Sequence, residues 1–261
     1  MHIAVCVKQV PDTSQVRIDP ETNTLVREGV PSIMNPLDAF AVEGAVRLRE
    51  ELGGRVTALS MGPPQAEAVV REAIAHGCDD GILLSDPAFA GSDTWATSYT
   101  LARAVRRLDD VKLVLCGKQA IDGDTAQVGP GLAVHLGWSQ ATYVRDIQEA
   151  DERKLTAECL TDRGIEVLQV KLPAVMTALK DLNEPRLPSL VSQMRARRCE
   201  IEAWGLNELG DDEKQFGLNG SPTRVIRVFS PPPRGEARIW DGEPAHAARE
   251  LAAALDGEGL L

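Results

Sequence analysis

A doubly wound α/β fold around a mostly parallel sheet, with added antiparallel strands and a C-terminal extension, is predicted by three features of this 261-residue sequence. Short apolar runs alternate with amphipathic helical patterns through the first half, which specifies parallel strands covered by helices. One of those runs passes through a glycine-containing loop into a helix. From about Tyr143 the pattern changes to successive extended runs with too little chain between them for crossover helices, so these pair at least partly antiparallel.

Taken in order, strands are predicted at 3–7, 56–61, 82–85 and 112–115, and helices at 37–52, 65–76, 94–108 and 125–136. Between the first strand and the first helix lies an insertion, 16–27, whose Asp19-Pro20-Glu21-Thr22-Asn23 turn predicts a β-hairpin. Extended runs follow at 154–160, 165–171 and 174–179. Beyond Arg198 come an acidic segment at 210–213, the prolines Pro231, Pro232 and Pro233, and a final helix near 244–255. That tail has too little apolar content for a core of its own and must pack on its own domain, pack on a partner or stay mobile. The expected division is a nucleotide-binding domain at 1–198 and an arm at 199–261.

A formal charge of −11 argues against a nucleic-acid partner, because such binding needs Lys and Arg to neutralise phosphates. The cationic stretch Arg195-Ala196-Arg197-Arg198 reads as a solvated helix end complementing the macrodipole. Five cysteines without a C-x-x-C pair indicate buried thiols rather than a metal or iron–sulfur site. The N-terminus enters a strand at once, and no apolar run approaches the ~20 residues of a membrane helix, so a cytoplasmic protein without membrane insertion is expected. His2, His76, His135 and His246 are too dispersed for a dyad or a metal cluster and read as surface or helix-end residues.

The loop at 116–130 carries the chemistry. It leaves the strand 111–115, turns on glycines and opens into the 125–136 helix, where free backbone N–H groups and the helix dipole can hold a pyrophosphate. Asp124 followed by Gln127 has capping-box spacing. Pro130 then lies near the end of the first turn or is itself the first helical residue. In a doubly wound sheet the ligand sits beyond the carboxyl ends of the strands, and the loops after 6, 61 and 116 and before the 94–108 helix all fall there. Asn35 before a helix reads equally as a cap or a ligand contact. Thr94 and Thr97 can donate to phosphate or hydroxyl oxygens, and Asp93 can start the helix. No Walker A lysine loop, G-x-G-x-x-G turn or G-x-S-x-G elbow is present, which suits a chain whose chemistry belongs to a bound cofactor.

The loop, with Val5-Cys6-Val7-Lys8-Gln9-Val10-Pro11-Asp12-Thr13, Ile33-Met34-Asn35-Pro36, Met61-Gly62-Pro63-Pro64 and Gly91-Ser92-Asp93-Thr94-Trp95-Ala96-Thr97-Ser98, resembles the β subunit of an electron-transfer flavoprotein. Lys171-Leu172-Pro173-Ala174-Val175, Asn183-Glu184-Pro185-Arg186 and Met194-Arg195-Ala196-Arg197 extend the resemblance towards the C-terminus. It implies an adenine-nucleotide-binding fold and an αβ heterodimer, with one FAD on the α subunit and the 199–261 arm packed against α. Gly123-Asp124-Thr125-Ala126-Gln127-Val128-Gly129-Pro130 is similar to the bifurcating and nitrogen-fixation-associated branch, in which β holds a second FAD. Leu182-Asn183-Glu184-Pro185-Arg186 is more similar to the housekeeping branch, in which β holds AMP.

Under the first reading NADH is the electron donor and ferredoxin or flavodoxin a low-potential acceptor. Under the second, electrons pass from an acyl-CoA-type dehydrogenase through the α-subunit FAD towards a quinone oxidoreductase. The expected cofactor contacts are Cys6, Val7, Lys8, Asn35, Asp38, Met61, Gly62, Asp93, Thr94, Thr97, Cys116, Gly117, Gln119, Asp122, Gly123, Asp124, Thr125, Ala126, Gln127 and Val128. By the same resemblance Leu190 matches a partner-anchoring leucine, and Glu166 an acidic residue near the electron-transfer interface.

Overall fold

Strands with both faces buried organise the chain. In the computed structural model, which describes residues 1–12, 17–18, 25–26, 31–210, 212–226 and 237–261, every residue of β1 (His2–Cys6) is buried. β2 (Gln9–Pro11) pairs antiparallel with β5 (Ser32–Met34). Between them β3 (Arg17–Ile18) pairs antiparallel with β4 (Leu25–Val26), the hairpin expected of the insertion; its turn at 19–23 lies outside the described residues. α1 (Pro36–Leu52) starts with proline in its first turn and is followed by β6 (Arg55–Met61). The expected 65–76 helix is shorter, a 3₁₀ turn at Pro64–Ala66 running into α2 (Glu67–Ala75). β7 (Asp80–Leu84), α3 (Thr94–Arg107), β8 (Val111–Gly117) and α4 (Val128–Leu136) complete the alternation.

The second half then supplies β9 (Ser139–Ala150), β10 (Lys154–Thr161), β11 (Gly164–Lys171), β12 (Ala174–Ala178), α5 (Leu190–Arg198), β13 (Glu202–Trp204), α6 (Leu206–Leu209) and α7 (Gly217–Gly220). One nine-stranded sheet results, in the order β11-β10-β9-β12-β8-β1-β6-β7-β13. β10 runs antiparallel to β9 and to β11, and β12 runs parallel to both β8 and β9. Alternation of side chains along the buried strands divides the core in two. Ile3 and Val5 pack with Ala41, Val42, Ala45, Val70 and Ile74 from α1 and α2; Ala4 and Cys6 pack with Leu101, Ala102, Leu132 and Ala133 from α3 and α4. The chain moves outward from β1 to β6 and β7, then returns to lay β8 on the other side of β1. The crossover direction therefore reverses between β1 and β8.

The expected boundary after Arg198 meets a different division. The first compact unit runs to Val225 because β13 joins the sheet edge beside β7 and Trp204, Leu209 and Phe216 are buried in its core. Ile226–Leu261 forms a second unit, whose α8 (Pro244–Gly257) buries none of its residues. Among the described residues no helix is long and apolar enough to cross a membrane.

Candidate functional site

The switch point is where the expected residues gather. Cys6 and Cys116 are register partners at the carboxyl ends of β1 and β8, both buried, and Val7 and Lys8 continue from the first while Gly117 ends the second. Met61 closes β6, and the Gly62 N–H donates to the Leu84 carbonyl at 3.0 Å. Side chains bridge the loops: Lys8 Nζ meets both Asp122 carboxylate oxygens at 2.7 and 2.8 Å, and Thr94 Oγ1 donates to Gln127 Oε1 at 2.9 Å. Asp93 is the N-cap of α3, accepting from the N–H groups of Trp95 and Ala96, and it also accepts from the N–H and hydroxyl of Thr223. Thr97 lies in the first turn of that helix, half-buried.

Asn35 and Asp38, both expected as ligand contacts and Asn35 equally as a cap, bridge the loop to β1 and α1. Asn35 stands at the N-cap of α1 but makes no side-chain cap bond. It is 1 % exposed, and its amide nitrogen donates to Asp38 Oδ1 and to the Gln119 carbonyl, each at 2.9 Å, while its Oδ1 accepts from the Ile121 N–H at 3.1 Å. Asp38 is also buried; Oδ1 accepts from the Gly117 N–H at 3.1 Å and Oδ2 from the Lys8 N–H at 2.8 Å. These two side chains tie the 117–121 segment to β1 and α1, leaving the amide no free N–H for a ligand. Gly117 belongs to the same tie, because a Cβ there would lie 2.4 Å from Asp38 Oδ1 and 2.7 Å from the Leu37 carbonyl carbon. Burial pushes the Asp38 carboxyl up to about 7, against the hydrogen bonds that favour its ionised form.

Beyond the tie the loop is exposed backbone. α4 begins at Val128, three residues later than expected, with Gln127 as N-cap, so the Asp124–Gln127 capping box does not form and Pro130 lies in the first turn. Asp124 instead accepts from the Gln119 side-chain amide. The glycine expected to make the turn is not the residue with unusual backbone: Asp124 and Ala126 both have φ of +52°. Ala126 is followed by Gln127 in the right-handed region at φ −101°, ψ −20°. Such alternation of hand turns successive N–H groups to one side and forms an anion-binding concavity. Among the described residues the N–H groups of Gly123, Thr125, Ala126, Gln127 and Val128 have no partner. A Cβ on Gly123 would meet nothing within 4 Å. The donor set and the open space above it fit a phosphate-bearing nucleotide, with Lys8 and Asp122 at the rim. No sequence signal marks Ala126 as left-handed, since alanine seldom adopts that region.

The Electron transfer flavoprotein domain family matches residues 22–209. An electron transfer flavoprotein subunit beta from Thermoanaerobacterium thermosaccharolyticum is 46% identical over the whole of both chains. The chain belongs to the electron transfer flavoprotein family, on its β-subunit side. Protein FixA from Azorhizobium caulinodans is 49% identical, covering 90% of this chain and 86% of that protein. The caffeyl-CoA reductase-Etf complex subunit CarD from Acetobacterium woodii is 48% identical, covering 93% and 92%. The flavoprotein family assigns this chain a role in electron transfer, and the FixA and CarD relatives agree with the branch that its 123–130 loop resembles.

The two residues matched to partner contacts lie on other parts of this flavoprotein chain. Leu190 opens α5 behind the Ser189 cap and is 79% exposed, next to exposed Leu187, Val191 and Met194. Of the cationic stretch, Arg195 is not simply solvated: it donates to the carbonyls of Ile74 and Cys78 at the end of α2. Arg71 returns the contact to the carbonyls of Ala196 and Cys199. Glu166 is exposed on the edge strand β11, with its register partner Cys159 buried on β10. Four of the five cysteines are buried as expected, Cys199 being half-buried. His2 departs from expectation: it is buried in β1 and bonded to the Asp109 carbonyl and Thr57 Oγ1.

Proposed function

We propose that this chain is the β subunit of a heterodimeric electron transfer flavoprotein whose 116–130 loop holds FAD and which takes part in NADH-dependent electron bifurcation. The observation that carries the reading is the set of N–H groups of Gly123 and of Thr125 to Val128, unpaired among the described residues and placed at the reversal between β1 and β8. Those N–H groups would donate to the diphosphate oxygens, and Thr94 and Gln127, already bonded to each other, would face the same ligand. When bound, the flavin takes an electron pair from a dihydronicotinamide and passes electrons onward. The chain's own residues position it and contribute no general acid or base.

The segment that resembles the AMP-holding branch is bonded to α1. Arg186 grips Glu43 and Glu50 of α1, and Asn183 donates to the Phe40 carbonyl. Its resemblance therefore concerns packing on α1 and leaves the loop as the guide to the cofactor. Exposed apolar side chains on α5 support docking of a dehydrogenase by Leu190, and Glu166 on the edge strand supports a place near the α-subunit flavin. Acyl-CoA-type dehydrogenases, a quinone oxidoreductase, and ferredoxin or flavodoxin are the partner classes of this reading. The exposed helix α8 is the part of the arm expected to lie on α. The test is the cofactor content of the purified αβ heterodimer: two flavins per heterodimer support the reading, and one flavin with extractable AMP overturns the FAD assignment in favour of structural AMP.

A further inference from the structure

We propose that Asp38 is the positioning residue of the nucleotide loop and that the loop grips its ligand more tightly while this carboxylate is ionised. The inference rests on the nucleotide reading above and adds to it a buried group that sets the affinity by holding the loop.

The geometry is one of donors alone. The Asp38 carboxylate faces the N–H groups of Lys8 and Gly117 and the side-chain amide of Asn35. A carboxylate accepts all three as charge-assisted bonds; protonation leaves weaker, neutral bonds in their place and adds an O–H that needs an acceptor of its own. Each of the three leads to the loop: Gly117 begins it, Asn35 holds the Gln119 carbonyl and the Ile121 N–H, and Lys8 reaches Asp122 through its side chain. The titratable groups around Asp38 do not compensate. The Cys6 thiol on β1 is raised to about 12 by burial and then by Asp38, and burial holds the Cys116 thiol on β8 well above its ordinary value, so both stay neutral. Lys8 is the cation acting on it, with its ammonium group committed to Asp122.

Two opposite pH trends follow. The folded-state pKa near 7 lies above the ordinary 3.8, so the Asp38 contribution to global stability is fully present below about pH 4 and is lost as pH rises through about 7. Nucleotide affinity runs the other way, rising with pH as the three bonds become charge-assisted. A residue that merely supports the fold does not produce this inversion.

The experiment titrates the full 261-residue chain with FAD and, separately, with AMP by calorimetry between pH 6 and pH 8.5. Wild type should lose about tenfold in affinity on acidification, with its inflection near 7, as expected when hydrogen bonds to a charged group become neutral ones. Asp38→Asn removes the titration and leaves a weak, flat profile, which also cancels any ionisation of the ligand. Asn35→Ala removes one donor and should move the inflection to higher pH. Amide exchange of the 117–121 segment, read without ligand, should speed up in Asp38→Asn at pH 8. Parallel wild-type and Asp38→Asn profiles, or unchanged exchange, overturn the proposal while leaving the nucleotide reading intact. Absence of binding by either nucleotide at every pH overturns both.

Discussion

The nucleotide loop and helix α5 are both surface segments, but they present opposite chemistry. At 123–128 the groups left unpaired are backbone N–H groups, and the side chains that tie the loop down, Asn35 and Asp38, are buried. On α5 and just before it the exposed groups are the side chains of Leu187, Leu190, Val191 and Met194, and Arg71 and Arg195 tie the helix to α2. A site built from backbone donors tolerates changes at its tip unless they fill the ligand's space, and fails when the buried ties are disturbed. A docking face built from side chains fails one side chain at a time while the fold survives.

The largest effect expected from breaking this contrast is at Gly117. Gly117→Ala should lower stability by ~1–3 kcal/mol and abolish nucleotide retention together, because the added methyl has no room beside Asp38 and Leu37. Thermal unfolding and nucleotide content of the same sample check it. Gly123→Glu should separate the two properties. The side chain has open space, so stability should stay within ~0.5 kcal/mol, while a negative charge facing phosphate should weaken nucleotide binding by several kcal/mol. Full nucleotide content in that variant would sink the phosphate-loop assignment.

Leu190→Ala tests the other side of the comparison. It should cost ~2 kcal/mol in docking to the dehydrogenase and nothing in cofactor content or melting temperature, since the side chain is mostly exposed. A stability loss of the ~2–5 kcal/mol typical of a buried leucine, with normal docking kinetics, would contradict the exposed placement. The smallest effect belongs to Lys8→Met. The Lys8–Asp122 pair is half-exposed, so its removal should change nucleotide affinity by less than ~1 kcal/mol and less still in high salt. A tenfold loss would mean that Lys8 contacts the ligand directly.

Much of the fold was legible because its signals are local. The buried runs at β1, β6, β7 and β8 and the amphipathic helices between them lie within a few residues of where periodicity places them. The loop was legible as a phosphate site because a glycine turn between strand and helix is also local. Its internal conformation was not: capping-box spacing at Asp124 and Gln127 is overridden when Asp124 and Ala126 turn left-handed and α4 starts late. His2 was misread for a related reason, since only the positions of Asp109 and Thr57 make a buried polar ring satisfiable.

By itself, then, the sequence determined the strand–helix alternation, the loop that faces the ligand and the family to which the chain belongs. Tertiary structure alone decided that β8 returns beside β1, that Asn35 and Asp38 reach across to Gln119, Ile121 and Gly117, and that residues 199–225 complete the first unit. The physical reason is range. Periodicity and turn chemistry act over a few neighbouring residues, whereas a buried carboxylate is tolerated only where donors from segments far apart in sequence converge on it.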